Sequence, residues 1–362
     1  MENIIRQCVG IDCAKDELVC CLSVFTADLS VEVKVNQVFK NNASGIQKLI
    51  SWAEKNKVKE HDLYFAVEAT GVYHQLLAHM LSDQQKLISV ILPNMISAHM
   101  RSLNLKTITD KSSAAAIADY GVKNKSELWK KPDNVIYRVR NLMREKNQLS
   151  EDSVITKNRL HAEQTSINCS EKTVARMNQR LQMIEKQIKE IFKEAAEIIK
   201  ENKEIQEKIS KICTIPGVGL NTALSVVGET FGFSLVKNSR QLVSYAGLDI
   251  RVKDSGISVK SKPRISKRGN KNIRKALYFP AISAARYNPN LTALYARLVG
   301  RHGIKMKASV ALQRKILVLI YTIWKTGKPF DAEYEQRKEK SEDSSLNPPT
   351  ELVLDRSNET NI

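Results

Sequence analysis

The chain has 362 residues, and 42% of them are hydrophobic, which suffices for two domains that each bury an apolar core. Its 57 lysine and arginine residues outnumber its 39 acids, giving a formal net charge of +18. Such an excess of positive charge favours a polyanionic partner. No apolar run reaches the ~18 residues of a membrane span and no signal peptide opens the chain, so we expect nucleic acid as partner and no membrane.

The six cysteines argue against a zinc site and against a disulfide framework. None stands in a Cys-x-x-Cys pair, and no histidine cluster lies beside them. We therefore expect reduced thiols in a cytoplasmic protein.

Residues 1–125 alternate between strand-like and helix-like patterns. Residues 31–39, for example, alternate apolar and polar side chains with the period of two that is typical of a strand. Three strands followed by strands separated by helices predict an α/β, RNase H-like (resolvase-like) domain with a mixed sheet flanked by helices. We predict strands at residues 7–12, 18–25, 31–39, 63–67 and 87–92, and helices at 46–54, 74–81 and 110–121.

Residues 126–212 have the composition of long helices. Glycine is absent from Pro132 to Ile212, and Leu181, Ile184 and Ile188 recur at spacings of three and four. This pattern predicts two long amphipathic helices in an antiparallel coiled coil. A spacer or dimerisation arm is the simplest role, and direct nucleic-acid contact is the alternative.

Residues 213–330 form a third, mainly helical domain that opens with a glycine-rich turn, Ile-Pro-Gly-Val-Gly at residues 215–219. Through Gly217 and Gly219 such a turn lets backbone amides approach phosphates, as in helix-hairpin-helix modules, although a plain tight turn explains it almost as well. The remaining residues, 331–362, are acidic and lack periodicity, so we expect a disordered tail.

Three acids interrupt or follow apolar segments: Asp12, Glu68 and Asp110. A buried carboxylate is costly unless its charge is compensated, and acids from two strands and one helix can converge on one point. Alone, Asp110 is explained as a helix cap or first-turn acid, and the other two as strand-edge acids. Together they predict ligands for Mg²⁺ or Mn²⁺, because hard divalent ions take carboxylate oxygens and promote phosphodiester cleavage.

Ordered short motifs show a resemblance to a known family. The sequence resembles the DEDD transposases of the IS-110 insertion-sequence group, in order, over residues 7–328. The motifs are GIDCAK at residues 10–15, VEATG at 67–71, LPN at 92–94, KTITD at 106–110, IPGVG at 215–219, LVSYAGL at 242–248, DSG at 254–256 and ISKRGN at 265–270.

The resemblance implies a transposase or recombinase with an N-terminal domain like that of Holliday-junction resolvases and a C-terminal transposase domain. Asp12, Glu68 and Asp110 would be catalytic metal ligands, and a serine of the C-terminal domain would attach covalently to DNA. A structured guide RNA, called a bridge RNA in the family, would pair with donor and target DNA. We accordingly expect a bacterial, nucleoid-associated homodimer or homotetramer.

The sequence departs from the family pattern at one acid. The fourth acid of the family lies three residues after the third, where this chain has Ser113, and Asp119 is too far along the helix to replace it simply. A serine hydroxyl brings no charge and binds Mg²⁺ more weakly than a carboxylate. A catalytically impaired, nucleic-acid-binding copy is therefore one alternative, and a junction-resolving nuclease that needs only the N-terminal acids is another.

The best match to the family's nucleophile is Ser255, which lies in a strongly basic segment. Residues 251–276 contain ten lysines or arginines and one acid, Asp254. Flanking cations would stabilise the charge that develops when a serine attacks phosphorus. Ser258, Ser261 and Ser266 are the competing positions, and a solvated loop serine is the ordinary explanation. The predicted nucleic-acid-binding residues are Arg264, Lys267, Arg268, Lys271, Arg274 and Lys275, with Gly217 and Gly219 of the turn.

Overall fold

The structure of the protein is a computed structural model that describes residues 4–69, 71–104, 107–251, 254–255, 259–260 and 264–334. The chain divides into two compact units, Met1–Lys131 and Pro132–Ile362. Most of the expected acidic tail lies outside the described residues, so its disorder stays a prediction. Within the described part of the chain, no helix has the length and apolarity needed to cross a membrane.

The first unit is built on a five-stranded mixed sheet, as the sequence predicts. Its strand order is β3-β2-β1-β4-β5. The first three strands pair antiparallel, whereas the fourth and fifth run parallel to the first. This is the predicted RNase H-like arrangement. The strands are β1 (Ile4–Cys13), β2 (Glu17–Thr26), β3 (Val31–Lys40), β4 (Leu63–Glu68) and β5 (Leu87–Ile91).

Helices cover both faces of this sheet. Ile46 and Leu77 of the first two helices join one apolar core with Val9 and Ile11 of β1. The fourth helix packs on the opposite face through alanines. The third helix was not predicted: Pro93 ends the strand segment but also begins a helix, because its fixed φ suits a first helical position. The helices are α1 (Ala43–Asn56), α2 (Gln75–Asp83), α3 (Pro93–Ser102) and α4 (Asp110–Lys123).

The second unit opens with two long helices, as predicted: α5 (Asn134–Thr165) and α6 (Glu171–Lys200). They run antiparallel, since Arg138 near the start of α5 pairs at 2.8 Å with Glu201 just after α6. Coiled-coil packing and a dimerisation role stay predictions. The helix ends farthest from the connecting loop share one apolar core with the helices that follow. Residues 132–212 therefore belong to the same compact unit as the C-terminal helices.

The rest of the second unit is mainly helical, as predicted. Its described residues also include four two-residue strands, which we call the serine ribbon and which form two separate antiparallel pairs, β6–β9 and β7–β8. They are β6 (Ile250–Arg251), β7 (Asp254–Ser255), β8 (Val259–Lys260) and β9 (Arg264–Ile265). The helices are α7 (Lys203–Ile212), α8 (Leu220–Glu229), α9 (Ser239–Tyr245), α10 (Lys271–Tyr287), α11 (Pro289–His302) and α12 (Lys305–Thr326).

Candidate active site

The side chains of Asp12 and Glu68 lie at the same edge of the sheet and on the same face. Strands β1 and β4 are parallel neighbours, and Ile11 is paired with Val67. Both of these apolar side chains lie in the core beneath α1 and α2. Because side chains alternate along a strand, the acids that follow them face the opposite side, which α4 covers.

Gly10 lets α4 approach β1 closely. A Cβ atom at this glycine would lie 2.3 Å from the carbonyl oxygen of Ala114 and 2.2 Å from the backbone nitrogen of Ala118. Two residues along a strand and one turn along a helix both cover about 6 Å. The contact between Gly10 and Ala114 therefore brings Asp110, one turn earlier in α4, towards Asp12.

The first turn of α4 is fixed by a capping box, and the cap is Thr109. Its hydroxyl oxygen accepts from the Ser112 N–H at 3.2 Å, and the Ser112 hydroxyl oxygen accepts from the Thr109 N–H at 2.7 Å. Asp110 is thus not needed as the cap. It is an exposed first-turn acid, and the capping box does not require its carboxylate.

The three acids interact electrostatically. Burial raises the pKa of Asp12 above its ordinary value, and the negative charges of Asp110 and Glu68 raise it further. A hydrogen bond from the Cys13 N–H to the carboxylate partly opposes this shift. The structure therefore brings the three predicted acids together. Over the described residues, however, no three acid, histidine or cysteine side chains are already spaced to hold a metal ion.

Ser113 lies in the first turn of α4 and is partly buried. Asp119, the nearest later acid on this helix, already has other partners: His99 Nε2 lies 2.7 Å from one carboxylate oxygen and Lys123 Nζ lies 2.9 Å from the other. This pairing agrees with the expectation that Asp119 does not replace the missing fourth acid.

In the second unit, Ser255 lies in β7 and is paired with Val259 of β8. Two of its competitors, Ser258 and Ser261, fall outside the described residues. The third, Ser266, donates its hydroxyl to the Asp249 carboxylate and helps to close the base of the serine ribbon. Ser266 thus has a structural role, which favours Ser255.

The predicted nucleic-acid-binding cations divide into two groups. Arg274 donates to the carbonyl oxygens of Ala246 at 2.8 Å and Gly269 at 3.2 Å, and Lys275 pairs with Glu151 at 2.8 Å. These two side chains therefore already have partners within the protein, and their nucleic-acid contact stays a prediction. The others are exposed next to the serine ribbon: Arg264, Lys267, Arg268 and Lys271.

The glycine-rich turn joins α7 to α8, as predicted. Gly217 has φ +88°, and a Cβ there would lie 3.1 Å from the backbone nitrogen of Ala284 in α10. The left-handed backbone and this close contact explain the glycine, and its phosphate contact stays a prediction. Gly219 is the N-cap of α8 with open space around it, so it is the better placed of the two to offer helix amides to an anion.

One important acid escapes the sequence analysis. Glu229 ends α8 and is only 2% exposed. It pairs with Arg144 at 2.7 Å and accepts from the side-chain amides of Asn270 and Asn272. Like Glu68, it ends an apolar run of the sequence. Its partners, however, lie far from it along the chain, so the local pattern does not predict them.

Comparison with known proteins shows the family to which the chain belongs. Residues 9–167 match a DEDD family described as transposase, and residues 209–296 match the family described as Transposase IS116/IS110/IS902. The chain is 29% identical to the pilin gene-inverting protein of Moraxella bovis and 30% identical to that of Moraxella lacunata. Each match spans 332 residues, 89% of this chain and 97% of the relative.

A weaker structural likeness is to Thermus thermophilus RuvC in complex with Holliday junction substrate. It has 12% identity and a TM-score of 0.26, and it covers 34% of this chain and 99% of the RuvC chain. The two family matches and the full-length relatives make this protein an enzyme of the DNA transposase and recombinase class. The chain belongs to the IS116/IS110/IS902 family of transposases.

Proposed function

We propose that this transposase cuts and rejoins DNA with a divalent cation held by Asp12, Glu68 and Asp110, and with Ser255 as the nucleophile. The raised pKa of Asp12 supports the cation site, because burial beside two like charges is a cost that Mg²⁺ or Mn²⁺ would relieve. Carboxylate oxygens are also the donors that these ions prefer.

The chain's own groups then have separate tasks. A bound cation would supply electrostatic stabilisation of charge on the phosphate oxygens. The Ser255 oxygen forms a bond to phosphorus as the bond from phosphorus to a deoxyribose oxygen breaks. The serine proton passes to a base, and the departing oxygen gains a proton. Reversal with another strand end would rejoin the DNA and release the serine.

The exposed cations beside the ribbon fit a phosphate backbone. Arg264, Lys267, Arg268 and Lys271 are all exposed, and the chain carries +18. We propose that they hold DNA or a structured guide RNA through salt-dependent phosphate contacts. A homodimer or homotetramer on the nucleoid, with donor and target DNA bound together, completes the proposal.

The decisive experiment is a covalent-adduct assay with labelled element-end DNA, run with and without the noncoding RNA that flanks the element. Ser255→Ala should abolish the denaturation-resistant protein–DNA adduct. Ser210→Ala, an exposed serine of α7, is the matched control and should leave the adduct intact. An adduct that persists without Ser255 would remove this residue from the chemistry, and rearrangement without the RNA would remove the guide.

Ser113 favours a second candidate, a nucleic-acid-binding protein with impaired chemistry. It predicts salt-sensitive DNA binding with no strand cleavage in Mg²⁺ or Mn²⁺. A junction-resolving nuclease would instead cleave without forming an adduct and without RNA, so the same assay separates all three.

A further inference from the structure

Glu229 is the centre of a buried hydrogen-bond network in the second unit. Its Oε1 accepts from Arg144 Nε at 2.7 Å and from Asn272 Nδ2 at 2.9 Å. Its Oε2 accepts from Arg144 Nη2 at 2.9 Å and from Asn270 Nδ2 at 2.7 Å. Both oxygens are therefore satisfied within the protein, which is what a buried charge requires.

This network fixes the two chain segments that enter and leave the serine ribbon. Tyr245 precedes the ribbon, and its hydroxyl donates to the Glu229 carbonyl oxygen at 3.0 Å. Asn270 follows the ribbon, and its backbone N–H donates to the Tyr245 carbonyl oxygen at 2.7 Å. The Asn270 side-chain oxygen also caps α10 by accepting from two backbone amides. One acid thus secures both ends of the ribbon.

Backbone hydrogen bonds continue from this base into the ribbon. The Lys267 N–H donates to the backbone carbonyl oxygen of Gly247 at 3.1 Å, and the Ser266 N–H donates to that of Asp249 at 2.8 Å. The pairing of β6 with β9 follows, and the pairing of β7 with β8 then includes Ser255. The base therefore fixes where the chain enters and leaves the ribbon.

We propose that Glu229 is a positioning residue for Ser255: it holds the base of the serine ribbon on α5 and α8 and so fixes the two chain segments between which Ser255 lies. The inference rests on the proposed nucleophilic role of Ser255. A carboxylate is required because each of its two oxygens accepts two of the four hydrogen bonds. The NH2 group of a glutamine at this position would face N–H groups that also need an acceptor.

The test removes one hydrogen-bonding group of the network at a time and leaves the charge of Glu229 in place. Tyr245→Phe deletes one hydroxyl, and Asn272→Ala deletes one amide donor. In the full chain, each should lower the maximal rate of adduct formation about fivefold, the effect of one hydrogen bond, while the half-saturating DNA concentration stays unchanged. A loss of DNA binding would raise the half-saturating DNA concentration instead, and the rates are expressed per folded protein because an unfolded fraction would lower the maximal rate by itself.

The matched control is Tyr321→Phe, which removes a hydroxyl that donates to the Lys237 carbonyl oxygen at 3.1 Å in the same unit, away from the ribbon base. It should form the adduct at the wild-type rate. Equal rates for Tyr245→Phe, Asn272→Ala and Tyr321→Phe would overturn the positioning role while leaving the nucleophile in place. An adduct that survives Ser255→Ala in the same assay would instead overturn the proposed function.

Discussion

Asp12 in the first unit and Glu229 in the second are carboxylates at the ends of apolar segments, yet their surroundings are opposite. The neighbours of Asp12 are acids, and burial together with Asp110 and Glu68 raises its pKa. The neighbours of Glu229 are donors. Burial alone would raise its pKa, but the hydrogen bonds from Arg144 and Asn270 outweigh burial and lower it.

This contrast distinguishes a proposed ligand-binding acid, Asp12, from an acid that stabilises the fold, Glu229. At Glu229 the protein itself compensates the charge, so the acid can serve the fold without any ligand. At Asp12, two like charges add to burial, and among the described residues that shift its pKa only the Cys13 N–H opposes them, which costs stability unless a cation binds. Strain of this kind is typical of functional sites.

The largest expected effect is that of Asp12→Asn on chemistry. Losing a proposed metal ligand should lower strand cleavage by on the order of a thousandfold, since a bound cation would contribute several kcal/mol to the stability of the transition state. The same change should stabilise the first unit, because it removes a charge from a repulsive cluster. Cleavage assays and urea denaturation of the full chain measure the two effects.

A metal titration sharpens this prediction without relying on activity. Mg²⁺ or Mn²⁺ should raise the unfolding midpoint of the wild type and leave that of Asp12→Asn nearly unchanged. Asp62→Asn, a change at an exposed acid elsewhere in the first unit, should respond to the cation as the wild type does. Equal stabilisation of all three proteins would mean that Asp12 is not a ligand.

Glu229→Gln should have the opposite effect on stability. Removing the charge weakens the pairing with Arg144, whose side chain is 41% exposed, and turns an amide donor towards the donors of Asn270 and Asn272 in a buried site. An unsatisfied buried polar group of this kind costs about 1–3 kcal/mol. Urea denaturation monitored in the second unit measures the loss. The control is Glu201→Gln, which breaks the exposed pair with Arg138 and should cost less than about 1 kcal/mol. Similar losses for the two variants would show that Glu229 is not a structural centre.

The two acids also differ in how far the sequence predicts them. Asp12 and Glu68 follow apolar runs on neighbouring strands, so local pattern and strand order together are enough to place them at one edge of the sheet. Their meeting with Asp110 also needs the close approach of α4 at Gly10, which no periodicity reveals. The resemblance to the family supplied that step.

Glu229 could not be predicted in the same way. Its partners are 85 residues away at Arg144 and 41 residues away at Asn270, and only the folded second unit brings them together. Arg274 shows the converse: its charge predicts a phosphate contact, which stays a prediction, while its guanidinium already donates to two carbonyl oxygens. Composition reports that a surface is basic but not which cations the fold has already engaged.

Ser113→Asp tests whether the cluster around Asp12 is one ligand short. A fourth carboxylate near Asp110 should strengthen cation binding and raise metal-dependent cleavage about tenfold, since ligand charge is a main determinant of affinity for hard cations. Without cation the same change should destabilise the first unit further. The control is Ser51→Asp on α1, on the opposite face of the sheet, which should change neither property. If Ser113→Asp leaves cation binding and cleavage as they are, position 113 is not a ligand position in this chain.

The smallest effect is the pH dependence of stability, and it should have opposite signs for the two acids. A raised pKa at Asp12 means that its stabilising contribution is complete below its ordinary value of 3.8 and is lost as pH rises through the shifted value. A lowered pKa at Glu229 means that its contribution is present above 4.5 and is lost as pH falls through the shifted value. In metal-free buffer, the stability advantage of Asp12→Asn over the wild type should therefore grow with rising pH, to below about 1 kcal/mol because the site is partly exposed. The deficit of Glu229→Gln should shrink as pH falls. Denaturation curves from pH 3 to 8 measure both trends, and parallel trends would contradict the assignment of one acid as an uncompensated site and the other as a completed support.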